Sequence, residues 1–280
     1  MYRNCPIPEP VYGDWSDDEN CPEPIKRFRQ EWSNDLIPPE IIREARAAYY
    51  GLVTQIDYNM GRVFAALQDL GLFGDTLILF TSDHGEYLGD HHCGAKTFFH
   101  ESSAHVPFFV RMPKNWDNRC HGTTISTPVT HADLLPTIVK AAGGEIPQSV
   151  DGLDLVGLAR GVEKPRVYLE AGNDHPDQEY YGITDGRWKY IWYPEGASEQ
   201  FFDLKNDPQE LVNLSAKDEY KAQMERLKEE LVRRHVERNS KAVKDGKLVS
   251  YSLRGDSTRD RRNRSWPGFH TEHFDVDVRH

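Results

Sequence analysis

Thr76-Leu77-Ile78-Leu79-Phe80-Thr81-Ser82-Asp83-His84-Gly85-Glu86 is the stretch on which the fold turns. Its first six residues are apolar or β-branched without alternation. The run is too short for a helix and reads as a strand buried on both faces. The last five residues turn abruptly polar. Ser82, Asp83, His84 and Glu86, with Gly85 to bend the backbone, place a carboxylate and an imidazole where open α/β sheets bind ligands.

Upstream, Ile42, Ala45, Tyr49, Leu52, Val53, Ile56, Met60, Val63, Phe64 and Leu67 recur every three or four residues. They predict an amphipathic helix that opens with Pro39 in its first turn and stops at Gly71. A helix followed by a buried strand predicts a parallel α/β sheet. Residues 1–38, rich in Pro, Asp and Glu and without a period, predict an extended segment lying over a surface. Downstream, Val106 to Pro113 reads as a second strand and Thr123 to Val129 as a third. Thr130 then caps a helix from His131 to Ala142, closed by Gly143-Gly144.

Past about residue 160 the pattern changes to short aromatic strands: Val167–Glu170, Tyr181–Thr184, Trp188–Trp192 and Phe201–Leu204. Turns such as Thr184-Asp185-Gly186 separate them, which predicts a small antiparallel sheet. A helix at roughly 216–237 carries Tyr220, Met224, Leu227, Leu231 and Val232 as one stripe and is expected to pack across that sheet. The expected organisation is therefore an extended segment over 1–38, an α/β part over 39–160, a small α+β subdomain over 161–245 and a tail over 246–280.

The formal net charge of the 280 residues is −11, and the basic residues are dispersed outside the C-terminus, so nucleic acid is excluded as a partner. No apolar run approaches the ~20 residues of a membrane helix, and MYRNCPIPEP has no signal-peptide core, so the chain as written reads as soluble, without a membrane partner, and cytoplasmic. Cys5, Cys21, Cys93 and Cys120 form no C-x-x-C pair. Unpaired thiols are expected in preference to a Cys5–Cys21 bridge.

Asp83 and His84 are the first candidates for chemistry, since both can converge on one divalent cation. The dipeptide by itself equally fits a turn cap at Asp83 and a His84 ring bonded to a backbone carbonyl. Lys96 alone would be an exposed surface lysine. His91, His92 and His100 read as solvated loop histidines, with a general acid among them as the alternative. Trp188, Trp192 and Tyr193 read as packing of the small sheet, with a sugar or aryl site as the alternative.

The whole run TSDHGEYLGDHHCGAKTFFHESSAHVPFFVRMP, Thr81 to Pro113, resembles the metal-binding segment of the type I sulfatases and the related phosphonate and phosphodiester hydrolases. In those families a strand delivers Asp followed by Asn or His to the metal. A glycine-containing loop, a lysine, an acidic residue and a strand opening with Val-Pro follow. Asp83, His84, Lys96, Glu101 and Val106-Pro107 stand at those positions. The resemblance extends through Tyr49-Tyr50-Gly51 and Asp57, Thr130-His131-Ala132-Asp133-Leu134-Leu135-Pro136-Thr137, Asp151-Gly152, Asp185 to Ile191 and Phe201 to Leu214.

The resemblance implies an α/β fold: part of an alkaline-phosphatase-like sheet with flanking helices, plus a small C-terminal antiparallel sheet with one packed helix. It implies a sulfuric ester hydrolase acting on a small sulfate ester or a sulfated sugar. Asp83 and His84 become metal ligands and Lys96 the cation that contacts the sulfate. The implied cofactor is a divalent metal, calcium first and manganese second, since an imidazole suits manganese better.

Such sulfatases attack with a formylglycine made from a C-x-P-x-R or S-x-P-x-R motif, and this sequence has none. Cys5-Pro6-Ile7-Pro8-Glu9 and Cys21-Pro22-Glu23-Pro24-Ile25 put proline at the wrong offsets and lack the arginine. The family's first strand with its two metal-binding aspartates is likewise unmatched. The expectation is thus a C-terminal portion, inactive and marginally stable alone, whose partner is an N-terminal half or another subunit. A phosphonate monoester or phosphodiester hydrolase, or a non-catalytic binding module, are the alternatives.

Overall fold

The computed structural model describes residues 1–17, 19–31, 34–116 and 120–253. Residues 1–38, expected to be extended, include helix α1, Glu23–Glu31, and bury Trp15, Cys21, Ile25 and Phe28 in a core rather than lying over a surface. Helix α2, Pro39–Asp69, starts with Pro at its first turn and gives way to Gly71 at φ 72°, a left-handed position that glycine takes without cost. Its apolar stripe is largely uncovered: Ala47 is buried, while Leu52, Val53, Ile56 and Val63 face outward.

Strand β1, Ile78–Thr81, pairs with strand β2, Phe108–Arg111, in the register Ile78↔Arg111 to Thr81↔Phe108. The pairing is antiparallel, which corrects the expected parallel sheet, and β1 is half-buried rather than covered on both faces. An unbroken apolar run specifies burial but carries no information about partner direction. Here the chain returns from β1 through a compact loop and the one-turn helix α3, Glu101–Ala104, straight into β2. Phe80 and Phe109 stack across the pair at 4.8 Å.

The expected third strand, Thr123 to Val129, forms no ladder. After it Thr130 builds a capping box with Asp133, followed by α4, Leu134–Ala141, and α5, Leu155–Ala159.

Strands β3, Leu169–Asn173, β4, Tyr180–Thr184, β5, Trp188–Tyr193, and β6, Ser198–Asp203, make an antiparallel sheet in that order. Period-two alternation sends Tyr181, Ile183, Trp188, Tyr190, Trp192 and Phe201 to one face, where helix α6, Lys221–Glu237, lays Met224, Leu227 and Leu231. Tyr180, Ile191, Tyr193 and Phe202 go to the other face and pack with Trp15, Ile25, Phe28, Phe98 and Phe99. A short hairpin, β7 at Val243–Lys244 and β8 at Lys247–Leu248, straddles the expected boundary at 245, with β8 in the region expected to begin the tail. The rest of that tail, 254–280, lies outside the described residues. All four cysteines are free thiols, as expected.

Candidate active site

At the carboxyl end of β1 the backbone is tied down residue by residue. Ser82 donates its hydroxyl to the His84 carbonyl at 3.0 Å, and its own carbonyl accepts from His131 Nε2 at 2.7 Å. Asp83 Oδ1 accepts the His84 N–H at 3.1 Å. His84 Nδ1 donates to the Gly85 carbonyl at 2.7 Å, so both local bonds of the turn-cap reading are present.

These bonds have a chemical consequence. A neutral ring that donates from Nδ1 presents the lone pair of Nε2, the arrangement usual for a metal-binding histidine. In a neutral ring that lone pair faces Asp83 Oδ2 at 3.3 Å, and in a protonated one the two form an ion pair. Two acceptors at that separation repel unless a positive charge lies between them, either a proton on Nε2 or a cation. Desolvation pushes the Asp83 carboxyl up, but the His84 charge and the His84 N–H outweigh it and hold the group below its ordinary range. The Asp83 side chain is 83% exposed and that of His84 37%, so the pair opens outward.

Gly85 lets this strand end press against α3. A Cβ there would lie 2.2 Å from the Ser102 carbonyl oxygen, and the Gly85 N–H donates to Ser103 O at 2.8 Å. The buried hydroxyl of the same Ser103 accepts the Thr97 N–H at 3.0 Å. Ser103 therefore holds both the residue after His84 and the residue after Lys96. Lys96 itself is exposed and makes no ion pair among the described residues.

The intervening loop is locked in an unusual backbone. Leu88, His91, His92 and Ala95 have φ of 49°, 54°, 59° and 55°, a region non-glycine residues occupy only when their surroundings force it. Tyr87 N–H to Ala95 O at 2.9 Å and Gly89 N–H to Cys93 O at 2.8 Å close it. Asp90 anchors it, accepting from Arg46 at 3.0 Å, Ser102 at 3.0 Å and the Val11 N–H at 3.2 Å.

Two of the three loop histidines are not solvated. His100 is wholly buried, accepts from the Tyr87 hydroxyl at 2.8 Å and donates to Gln200 at 2.9 Å. Burial lowers it to about 3, and lowers His91 to about 4. Held neutral in a core, His100 stacked on Trp15 and His91 tilted against it, neither can serve as a general acid. His92 is half-buried and stacks on Tyr12 at 4.2 Å. Trp188, Trp192 and Tyr193 are buried in the small sheet, in line with the packing reading.

His131, which the sequence reading placed only at the start of a helix, touches the site through Ser82. Its turn is fixed by Asp133, a fully buried carboxylate that accepts from Thr130 N at 2.8 Å, Leu153 N at 2.7 Å and both Arg166 amino groups at 2.6 and 2.7 Å. The Thr130-to-Thr137 pattern was the signal available for it.

Asp83 and His84 do not complete a metal site by themselves. A hard cation takes six or more ligands, and among the described residues no group of three or more His, Cys, Asp or Glu side chains could hold one.

The sequence pattern of the sulfatase family matches residues 12–144, and that of the N-sulphoglucosamine sulphohydrolase C-terminal family matches residues 89–237. An arylsulfatase of Clostridium perfringens is 34% identical over 250 residues, covering 88% of this chain and 51% of that protein. The phosphonate monoester hydrolase SpPMH from Silicibacter pomeroyi superposes with a TM-score of 0.69 at 28% identity, over 82% of this chain and 50% of that one. BT4656, solved in complex with its substrate D-glucosamine-2-N,6-O-disulfate, superposes with a TM-score of 0.63 at 25% identity, over 76% and 46%. The chain thus spans about half the length of these relatives.

Proposed function

We propose, starting from the fact that this chain belongs to the sulfatase family, that it forms part of a sulfuric ester hydrolase and contributes Asp83, His84 and Lys96 to a site completed by residues outside it. The observation that carries this reading is the Asp83 carboxylate facing the Nε2 of a His84 ring whose Nδ1 is committed to Gly85 O. Asp83 and His84 are two ligands of a divalent cation, calcium first and manganese second. Once bound, such a cation neutralises charge on a tetrahedral oxyanion and its leaving oxygen.

Lys96 supplies a compact point charge to the oxygens of the sulfate, and its exposure leaves it able to reach them. Ser103 keeps that charge and the metal pair at a set separation. The substrate class we infer is a sulfated sugar or another small sulfate ester, supported by the likeness to BT4656 with its disulfated glucosamine. Cleavage of phosphonate monoesters is a second reading, favoured by the likeness to SpPMH, because one site can stabilise both sulfuryl and phosphoryl groups.

The test is hydrolysis of 4-nitrophenyl sulfate and of a phosphonate monoester, with calcium or manganese. The 280-residue chain is compared with a form extended upstream to include a formylglycine motif. Turnover in the extended form alone is the expected result, with the preferred ester deciding between the two readings. Turnover by the 280-residue chain overturns the claim that its nucleophile lies elsewhere.

A further inference from the structure

Lys189 sits on β5 with its ammonium buried on the sheet face turned towards the active-site loop. Nζ donates to Phe99 O at 2.7 Å, Glu101 Oε1 at 2.5 Å and Glu210 Oε1 at 2.8 Å, which uses all three of its protons. Glu210 is fully buried, and its second oxygen accepts the Glu101 N–H at 2.6 Å. Its backbone carbonyl accepts Trp15 Nε1 at 2.7 Å, and its φ of 56° holds it in a left-handed turn. The remaining oxygen of Glu101 is taken by His105 Nδ1 at 2.6 Å, so two carboxylates face one buried ammonium and one rim imidazole.

A buried ionic cluster of this kind is a weak source of stability, since apolar side chains of equal volume do as well. What it does specify is position. Phe99 O, the Glu101 N–H and the Glu101 carboxylate all belong to the entry and first turn of α3. A four-residue helix has no rigidity of its own and stays where its neighbours put it. The same helix carries Ser103, whose carbonyl holds Gly85 and whose hydroxyl holds Thr97.

We propose that Lys189 and Glu210 are positioning residues for the sulfate site: by clamping the first turn of α3 they set, through Ser103, where Lys96 stands relative to Asp83 and His84. The inference rests on the functional reading above for what Lys96 and the Asp83–His84 pair do. It assigns to the small C-terminal sheet a part in catalysis although that sheet touches no reacting atom.

Two measurements on Glu210→Gln, Ser103→Ala and Ser103→Thr test it. In the upstream-extended form, kcat and KM for 4-nitrophenyl sulfate are determined. Displacement of a charge by about 1 Å costs up to ~100-fold, so Glu210→Gln and Ser103→Ala are expected to lower kcat by about 10- to 100-fold with KM changed less than about threefold. Ser103→Thr, which keeps the hydroxyl, recovers most of the loss. In the 280-residue chain, amide exchange at Gly85 and Thr97 is expected to rise in Glu210→Gln while residues 188–203 keep their protection.

Unchanged kcat in both Glu210→Gln and Ser103→Ala overturns the proposal. So does a loss of kcat matched by faster exchange throughout the sheet, which marks general unfolding. If the extended form hydrolyses no ester, the functional reading fails on its own and the clamp is decided by exchange: unchanged protection at Gly85 and Thr97 in Glu210→Gln overturns it, and selective loss there supports it.

Discussion

Replacing Trp15 by Ala addresses the N-terminal segment and the active-site loop together. Trp15 is 1% exposed, stacks on His100 with centroids 4.6 Å apart, lies 4.7 Å from the His91 ring and meets Phe202 edge-on at 6.1 Å. Truncating a buried aromatic to Ala costs about 3–5 kcal/mol. Leaving the Glu210 carbonyl without its indole donor adds about 1 kcal/mol, for a total of roughly 4–6 kcal/mol. With a urea dependence of about 2 kcal/mol per molar, the unfolding midpoint falls by about 2–3 M. The assay is equilibrium unfolding followed by circular dichroism. Trp15→Phe is the control, since it keeps most of the ring contact, loses the N–H and costs about 1–2 kcal/mol. A midpoint shift in Trp15→Ala below about 0.5 M refutes the reasoning, because it means that residues 1–17 lie on the surface and the loop histidines owe their burial to something else.

Stability is expected to depend on pH through His91 and His100, which are lowered to about 4 and about 3 when folded. The unfolded chain binds protons below about 6.5 while the folded one does not, so their contribution is complete above that pH and is lost as pH falls towards 4 and then 3. Urea midpoints that do not fall across this window contradict the neutral assignment. Lys96→Met is expected to leave stability within about 0.5 kcal/mol, because the side chain is exposed. It should cut ester turnover of the upstream-extended form at least ~100-fold, and retained turnover removes Lys96 from the site. Asp133→Asn leaves the half-buried Arg166 facing a neutral group in a site where the carboxylate was fully buried, a cost of about 3–5 kcal/mol that appears as a melting temperature lower by roughly 10 °C. An unchanged melting temperature means that Asp133 does not hold the His131 turn in place. Gly85→Ala drives a methyl to 2.2 Å from a backbone oxygen that cannot rotate away. It is expected to cost about 1–3 kcal/mol and most of the activity of the extended form, and wild-type kinetics in that variant would show that the strand end does not press on α3.

The elements that carry their own period were legible in the chain. Leu227 and Leu231 mark the buried stripe of α6, and the alternation of Trp188, Tyr190 and Trp192 against Ile191 and Tyr193 defines β5 and both its faces. Thr130 and Asp133 announce their capping box, and the polar end of β1 announces Asp83 and His84. Each is a local property, because hydrogen-bond geometry repeats every two or 3.6 residues and the side chains must follow it. The direction of the β1–β2 pair was not legible, since the same apolar run suits either orientation. Nor was α1, nine residues whose Ile25 and Phe28 make sense only against Phe98, some seventy positions on. Of the left-handed residues of the site loop only Gly89 is a glycine, and Leu88, His91, His92 and Ala95 give no such sign. The burial of Lys189 was hidden for the same reason: a lysine in a strand reads as exposed until Glu101 and Glu210, 88 and 21 positions away, close around it. Which face a residue takes is decided by its immediate neighbours in the chain, but which charge it meets there is decided by long-range packing, and the clamp that positions Lys96 belongs wholly to the second.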